Sequence, residues 1–194
     1  MWFWLSLIAL LCWSGSDLFS KIGCQGEDDH LAHLKMVIAV GTVMGLHAAF
    51  EIFVGGTEIS WSIIWTYLPV SLLYIGSMTL GYLGLRYIEL SVSSPICNSS
   101  GALVAVMTLL FVGGEDYSPL ALGAIVLVCV GAIGLGVVDA TEDPELRAAR
   151  QVEGNRKYSK SFLALALPAA YCLLDAAGTF ADNRVLETLD EGSA

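Results

Sequence analysis

Charged residues are scarce in this chain. Asp, Glu, Lys and Arg make up 14% of its 194 residues, whereas a soluble domain usually carries about 25%. Hydrophobic residues account for 56% of the sequence, and the mean hydropathy is +0.69. Only 9 residues are Lys or Arg against 19 Asp or Glu, a balance that does not favour nucleic acid as a partner. The composition therefore predicts a membrane protein that contacts the lipid bilayer and has no nucleic-acid partner.

Several motifs of catalysis and ligand binding are also absent. No two of the 5 cysteines form a C-x-x-C pair, which argues against a zinc or redox site. The sequence has neither the ATP-binding motif G-x-x-x-x-G-K-[ST] nor the hydrolase motifs G-x-S-x-G and H-E-x-x-H. We therefore predict that the chain is not an enzyme and binds no metal or cofactor. The N-terminus lacks the basic residues and the cleavage site of a signal peptide, which predicts that its apolar run is retained as a membrane helix.

The apolar residues are grouped into stretches that each approach the roughly 20 residues needed for a helix to cross a bilayer. These stretches cover approximately residues 2–23, 35–54, 63–86, 95–113, 119–139 and 161–181. The predicted fold is thus an all-α integral membrane protein with about six transmembrane helices. Segment 140–160 is charged and is the candidate linker. Residues 182–194 are predicted to form an acidic, loosely ordered tail.

Basic residues are distributed unevenly between the two predicted faces of the membrane. If the spans alternate in direction, all the Lys and Arg except Arg184 fall on one face. The positive-inside rule then places the first, third and fifth loops in the cytoplasm and the N-terminus outside. The residues on the basic face are Lys21, Lys35, Arg86, Arg147, Arg150, Arg156, Lys157 and Lys160.

The first apolar stretch contains an acid and a base, Asp17 and Lys21, at the i, i+4 spacing that places both on one face of a helix. An ionisable group inside a bilayer costs a few kcal/mol, so it requires a partner, a wet cavity or a function. Asp17 is either a binding or proton-carrying group or an ion-pair partner of Lys21. Lys21 either forms that pair or extends to the cytoplasmic interface as an anchor.

The sixth stretch repeats part of the first. At an offset of 158 residues, Tyr171 aligns with Trp13 and Asp175 aligns with Asp17, whereas Thr179 replaces Lys21. Five spans separate the starts of the two copies, so the second would enter the membrane from the opposite face, as in the inverted repeats of many transporters. The two aspartates would then lie about 12–15 Å apart in depth.

Three stretches show a family resemblance. They are Trp13-Ser14-Gly15 with Lys21, the run 87–95 (YIELSVSSP), and Gly114-Glu115 followed by Ser118, Gly123 and Gly131. Their order and spacing over residues 1–139 resemble the EamA-type family of the drug/metabolite transporter superfamily. The resemblance implies ten helices in two inverted five-helix repeats, transport of metabolites or drugs, and an N-terminus that lies inside. This chain matches one repeat and the first helix of the next, so a half-size form, a homodimer or a fragment is an open alternative.

Small residues recur at the spacing of helix contacts and predict close packing between helices. They are Gly41 and Gly45, Ser77 and Gly81, and Gly123, Gly131, Gly134 and Gly136. Among the polar residues after Pro95, where we expect the fourth helix to begin, the Asn98 amide is the bulkiest and the best candidate to line a path.

The sequence therefore predicts a multi-pass protein of a bacterial-type plasma membrane that acts as a secondary transporter of small molecules. Transport would proceed by alternating access, and proton coupling or substrate exchange would supply the energy. The alternative is a membrane subunit that does not transport alone and needs a partner or a second copy. The candidate residues of the substrate path are Trp13, Asp17, Asn98, Tyr171 and Asp175.

Overall fold

The computed structural model describes residues 2–24, 29–113, 117–143, 145, 162–187 and 189. These residues form helices joined by short turns, with no strand among them. The helices are α1 (Trp2–Cys24), α2 (Ala32–Phe50), α3 (Trp61–Tyr87), α4 (Leu90–Cys97), α5 (Ser100–Phe111), α6 (Pro119–Thr141) and α7 (Phe162–Leu186). A π-helical turn, Glu51–Gly55, extends α2.

Five helical segments of the described chain are long and apolar enough to cross a membrane. They are Phe3–Cys24, Ala32–Gly55, Trp61–Tyr87, Leu90–Phe111 and Pro119–Val138. The prediction of an all-helical, multi-pass membrane protein is confirmed at this level. Helix α7 is a further long helix of 25 residues, but it is not among these five.

Apolar and polar side chains have exchanged the places they take in a soluble protein. Large hydrophobic residues cover the outside, and Phe53 and Leu120 are 84% and 85% exposed. The fully buried positions are few and include the polar residues Ser77 and Ser93, both 0% exposed, beside Val70 and Cys24. A bilayer explains this pattern, because lipid solvates the apolar surface while helices associate through close contact and hydrogen bonds.

Helices α3 and α7 form the centre of the bundle and run antiparallel. A Cβ atom added at Gly84, near the end of α3, would lie 3.5 Å from Leu167, near the start of α7. A Cβ atom added at Gly178, farther along α7, would lie 3.4 Å from Leu73 and Tyr74. Glycine at these positions permits the close approach of the two helices, which brings polar groups of α7 against α3.

The predicted packing role of small residues is confirmed for only part of the set. Ser77 and Gly81 lie buried in α3 and face α7. By contrast, no atom of another described helix lies within 4 Å of a Cβ atom added at Gly41, Gly45, Gly123, Gly131, Gly134 or Gly136. The glycines of α2 and α6 therefore make no close helix contact within this part of the chain, and for them close packing stays a prediction.

The fourth membrane segment differs from its prediction because it begins earlier and is broken. Its first helix starts at Leu90, so Pro95 lies inside α4 and not at a helix start. Asn98 and Ser99 form turns between α4 and α5, with the Ser99 N–H donating to the Ile96 carbonyl at 3.2 Å. Gly113 ends α5 with φ 65, a backbone conformation that glycine adopts without steric cost.

The last helix is longer than predicted. Helix α7 continues through Leu186, so residues 182–186 of the predicted acidic tail are helical. The physical reason is that α3 supplies hydroxyl partners to this end of α7, which the amino-acid pattern of α7 alone does not reveal. Most of the predicted linker 140–160, and the Gly114-Glu115 pair of the family resemblance, lie outside the described residues.

Basic side chains of the first and third loops meet at one end of the bundle, as the predicted topology requires. Lys35 pairs with Asp29 at 2.5 Å, and Arg86 donates to the Asp29 carbonyl oxygen at 2.6 Å. The hydrogen bond from Lys35 holds the pKa of the Asp29 carboxyl below its ordinary value. Because this pair is exposed, it defines the end of the bundle more than it stabilises the fold.

Candidate functional site

A cavity of about 50 Å³ lies between α1, α3, α4 and α7. It has room for about three to five water-sized groups. Four of the five predicted path residues, Trp13, Asp17, Asn98 and Tyr171, line it together. The other lining residues are Ser16, Ser20, Met78, Gly81, Tyr82, Leu85, Ser94 and Cys97.

The break between α4 and α5 positions the groups that hold Asp17. The Ser94 hydroxyl donates to Oδ2 of Asp17, and the Asn98 amide donates to the same oxygen at 3.2 Å. Asn98 is in turn oriented by Ser94, since its amide also donates to the Ser94 carbonyl oxygen at 2.8 Å and lies 3.1 Å from Ser94 Oγ. Asp17 is therefore fixed by two neutral donors from another helix.

Lys21 does not pair with Asp17, which corrects one sequence-based expectation. Its ammonium group donates to the Leu85 carbonyl oxygen and, at 2.5 Å, to the Ile88 carbonyl oxygen. These carbonyls end α3, where the helix dipole is negative and backbone acceptors lack helical partners. Lys21 is half-buried, and its ammonium group is bound by the end of α3.

Tyr171 closes the cavity on the side of α7. Its ring lies over Gly81 of α3, where an added Cβ atom would be only 2.7 Å from the ring. Trp13 borders the cavity from α1 and is 58% exposed. The two aromatic residues that the sequence echo aligned thus border the same space from different helices.

Asp175 is the predicted path residue that the cavity does not include. It follows Tyr171 by one helical turn and has the Ser100 hydroxyl as its polar neighbour. It forms no ion pair within the described part of the chain. One turn corresponds to a rise of about 6 Å along α7, which places Asp175 beyond the lining of the cavity. Tyr171 reaches the Asp17 cavity because α7 packs directly against α3.

A second polar cluster, which the sequence analysis missed, lies toward the C-terminal end of α7. The Tyr67 hydroxyl donates to Asp182 at 2.8 Å. Tyr74 donates to Thr179 at 3.2 Å and to the other Asp182 oxygen at 3.4 Å. The sequence signal was a spacing of seven residues, which separates Tyr67 from Tyr74 in α3 and Asp175 from Asp182 in α7. This spacing places two side chains on the same face of a helix.

Other contributors to the cavity were also missed, because hydroxyl residues are common in membrane helices and carry little signal. Ser16, Ser20 and Tyr82 belong to this group, and Tyr82 lies within hydrogen-bonding reach of Ser20. No cluster of three or more metal-ligating side chains occurs among the residues that the structure describes.

Comparison with family models, curated proteins and solved structures gives no match to this chain. The resemblance to the EamA-type family accordingly stays a prediction from the quoted motifs. The function has to be argued from the cavity and its chemistry.

Proposed function

We propose that the chain is a secondary transporter of small molecules and that the Asp17 cavity holds the substrate during alternating access. The single observation that supports this proposal is the cavity itself. A carboxylate, an amide and several hydroxyls converge there in a bundle whose outer surface is apolar. Polar and ionisable groups are costly within a bilayer, and they are usually retained there for substrate binding or ion movement.

The arrangement of helices supports this proposal further. The cavity lies where four helices meet, and one of its walls is formed at a helix break, between α4 and α5. Broken helices border the substrate sites of many secondary transporters, because their backbone groups can then face a cavity. The proposed mechanism is a rocking of α1 and α4 against the α3–α7 pair, which opens the cavity to each side in turn. An inverted repeat, with α7 as its first helix, is part of the same proposal.

Reconstituted vesicles test the proposal. A panel of small metabolites is first screened for thermal stabilisation of the purified protein, and the flux of a stabilising compound is then measured. We expect Asp17→Asn to lower the flux at least about tenfold, or ~1.4 kcal/mol, because the carboxylate contacts the substrate. Asp175→Asn is expected to lower it as well, and Asp143→Asn, outside the bundle, serves as the control. Unchanged flux in both Asp17→Asn and Asp175→Asn would refute the mechanism.

A second candidate function is that of a membrane subunit that needs a partner. The observation that favours it is the row of glycines on α6 with no contact in the described chain, since such faces suit close contact with another helix. Absence of flux from folded wild-type protein, together with a detergent-solubilised mass of two or more chains, would favour this alternative.

A further inference from the structure

The walls of the Asp17 cavity contain acceptors that lack donors. Both hydrogen bonds from Ser94 and Asn98 end on Oδ2 of Asp17, and no described residue donates to Oδ1. All the hydrogen bonds of the Asn98 side chain are made by its amide nitrogen, Nδ2. The side-chain oxygen, Oδ1, is therefore available in the described structure. Asp17 is half-buried and Asn98 is exposed, so a ligand that replaces solvent at these two acceptors should bring hydrogen-bond donors of its own.

The cavity also carries a negative charge with no cationic side chain beside it. Asp17 is the one charged residue among those that line the cavity. Lys21, one turn along α1, would have neutralised it, but its ammonium group is bound to the end of α3. The hydroxyl and amide donors on Oδ2 are neutral and leave the net charge in place. A ligand with a positive charge is therefore complementary to this site.

The aromatic rings and the volume of the cavity restrict the kind of ligand further. Trp13, Tyr82 and Tyr171 all line the cavity, and the faces of such rings attract ammonium groups. The volume of about 50 Å³ accommodates about three to five groups of the size of water. A primary ammonium group with a short carbon chain meets these limits, since it combines three donors, one positive charge and a small body.

We infer that the Asp17 cavity is a binding site for a primary alkylammonium group. The ammonium donates to Asp17 Oδ1 and to the Asn98 carbonyl oxygen, and the aromatic rings enclose its carbon chain. Only the biological role of this binding site rests on the proposed transport function. The binding itself is a property of the cavity and can be measured separately.

Calorimetric titration of the wild-type protein in detergent with ethylammonium tests the inference. An alkylamine is protonated at neutral pH, as the lysine side chain is. We expect saturable binding of ethylammonium, at least tenfold weaker binding of tetramethylammonium, which has no N–H donor, and no binding of ethanol or acetate. Equal binding of ethylammonium and ethanol, or preference for acetate, would overturn the inference without any variant. Preference for tetramethylammonium would show that charge matters and that the assignment of donor recognition is wrong.

Two variants locate the site. Asp17→Asn keeps the size of the side chain and removes its charge, so ethylammonium binding is expected to fall at least tenfold. Asp143→Asn removes the charge of an exposed aspartate outside the bundle and is expected to bind as the wild type does. Equal losses in the two variants would overturn the assignment to Asp17. If Asp17→Asn does not fold, protection of Trp13 fluorescence from acrylamide by ethylammonium replaces it, measured in a variant whose other four tryptophans are phenylalanine. Absence of protection counts against the site.

The failure of this inference and that of the transport function give different results. Binding of ethylammonium without uptake of isotopically labelled ethylammonium into vesicles, with or without a pH gradient, would support the amine site and contradict transport. Flux of a metabolite that depends on Asp17, without ethylammonium binding, would support transport and contradict the amine site.

Discussion

Substitution of Lys21 by methionine should destabilise the bundle, because Lys21 completes the end of α3. Methionine matches the length and the apolar stem of lysine, but it has no hydrogen-bond donor and no charge. Lys21→Met would leave the carbonyl oxygens of Leu85 and Ile88 without the ammonium group that they now accept from. The prediction concerns stability and not transport, since Lys21 is outside the lining of the cavity.

The magnitude follows from two opposing contributions. A hydrogen bond from a charged donor contributes a net ~1.5–3 kcal/mol, and a cation at a helix C-terminus contributes up to ~2 kcal/mol in a partly buried geometry. Burial of the ammonium costs part of this gain, and methionine avoids that cost. We therefore expect a loss of about 2–3 kcal/mol in the free energy of unfolding. For a chain of this size, the corresponding decrease in Tm is about 4–12 °C.

Thermal unfolding in detergent measures this loss, with a thiol-reactive dye that labels cysteines as they become accessible. Cys24 and Cys172 suit the assay because they are 0% and 4% exposed in the folded protein. Lys35→Met is the matched control. Lys35 carries the same side chain at the same end of the bundle, but it is 67% exposed and pairs with an exposed carboxylate. Such a pair contributes about 0–1 kcal/mol.

Two results would refute this reasoning about Lys21. One is a Tm of Lys21→Met equal to that of the wild type or of Lys35→Met, which would mean that the lysine only anchors the interface. The other is an equal loss in Lys21→Met and Lys21→Arg. Arginine keeps the charge and the donors, and it should retain most of the stability.

Two further substitutions test the contact between α3 and α7. Gly81→Ala should destabilise the bundle by about 1–3 kcal/mol, because its Cβ atom would lie 2.7 Å from the Tyr171 ring; Gly41→Ala, with no atom within 4 Å, is the control, and equal Tm values would contradict the close packing. Tyr67→Phe should cost about 1 kcal/mol through loss of the 2.8 Å hydrogen bond to Asp182. A Tm for Tyr67→Phe at or above the wild-type value, from the same thermal unfolding assay, would contradict a stabilising role for this bond.

The sequence predicted the helices well and their partners poorly. Long apolar runs specify membrane helices by themselves, because length and hydropathy are local properties. The position at which α7 ends is not determined by local sequence, since Asp182 accepts hydrogen bonds from Tyr67 and Tyr74 of α3. Sequence reasoning therefore ended the last helix too early.

The same distinction applies to the site. Trp13, Asp17, Asn98 and Tyr171 were selected as polar or aromatic residues inside apolar stretches, and the structure places all four around one cavity. The i, i+4 spacing of Asp17 and Lys21 predicted a pair, but spacing cannot weigh donors from other helices. Ser94 and Asn98 donate to one oxygen of the carboxylate, and the carbonyl oxygens at the end of α3 bind the ammonium.

Helix α7 depends on α3 for hydrogen-bond partners, because the polar residues of α7 follow one another along the bundle. Tyr171, Asp175, Thr179 and Asp182 recur at intervals of three or four residues, which places them along one side of the helix. An aspartate near the centre of a lone membrane helix costs about 2.5–3.5 kcal/mol, so Asp175, followed by Asp182 near the helix end, makes α7 a poor span by itself. Tyr67 and Tyr74 satisfy Asp182, and Gly81 and Gly84 allow the approach that this requires. The physical unit that holds Tyr171 at the cavity is thus the α3–α7 pair, so substitutions at this contact should disturb the cavity even where they leave its lining intact.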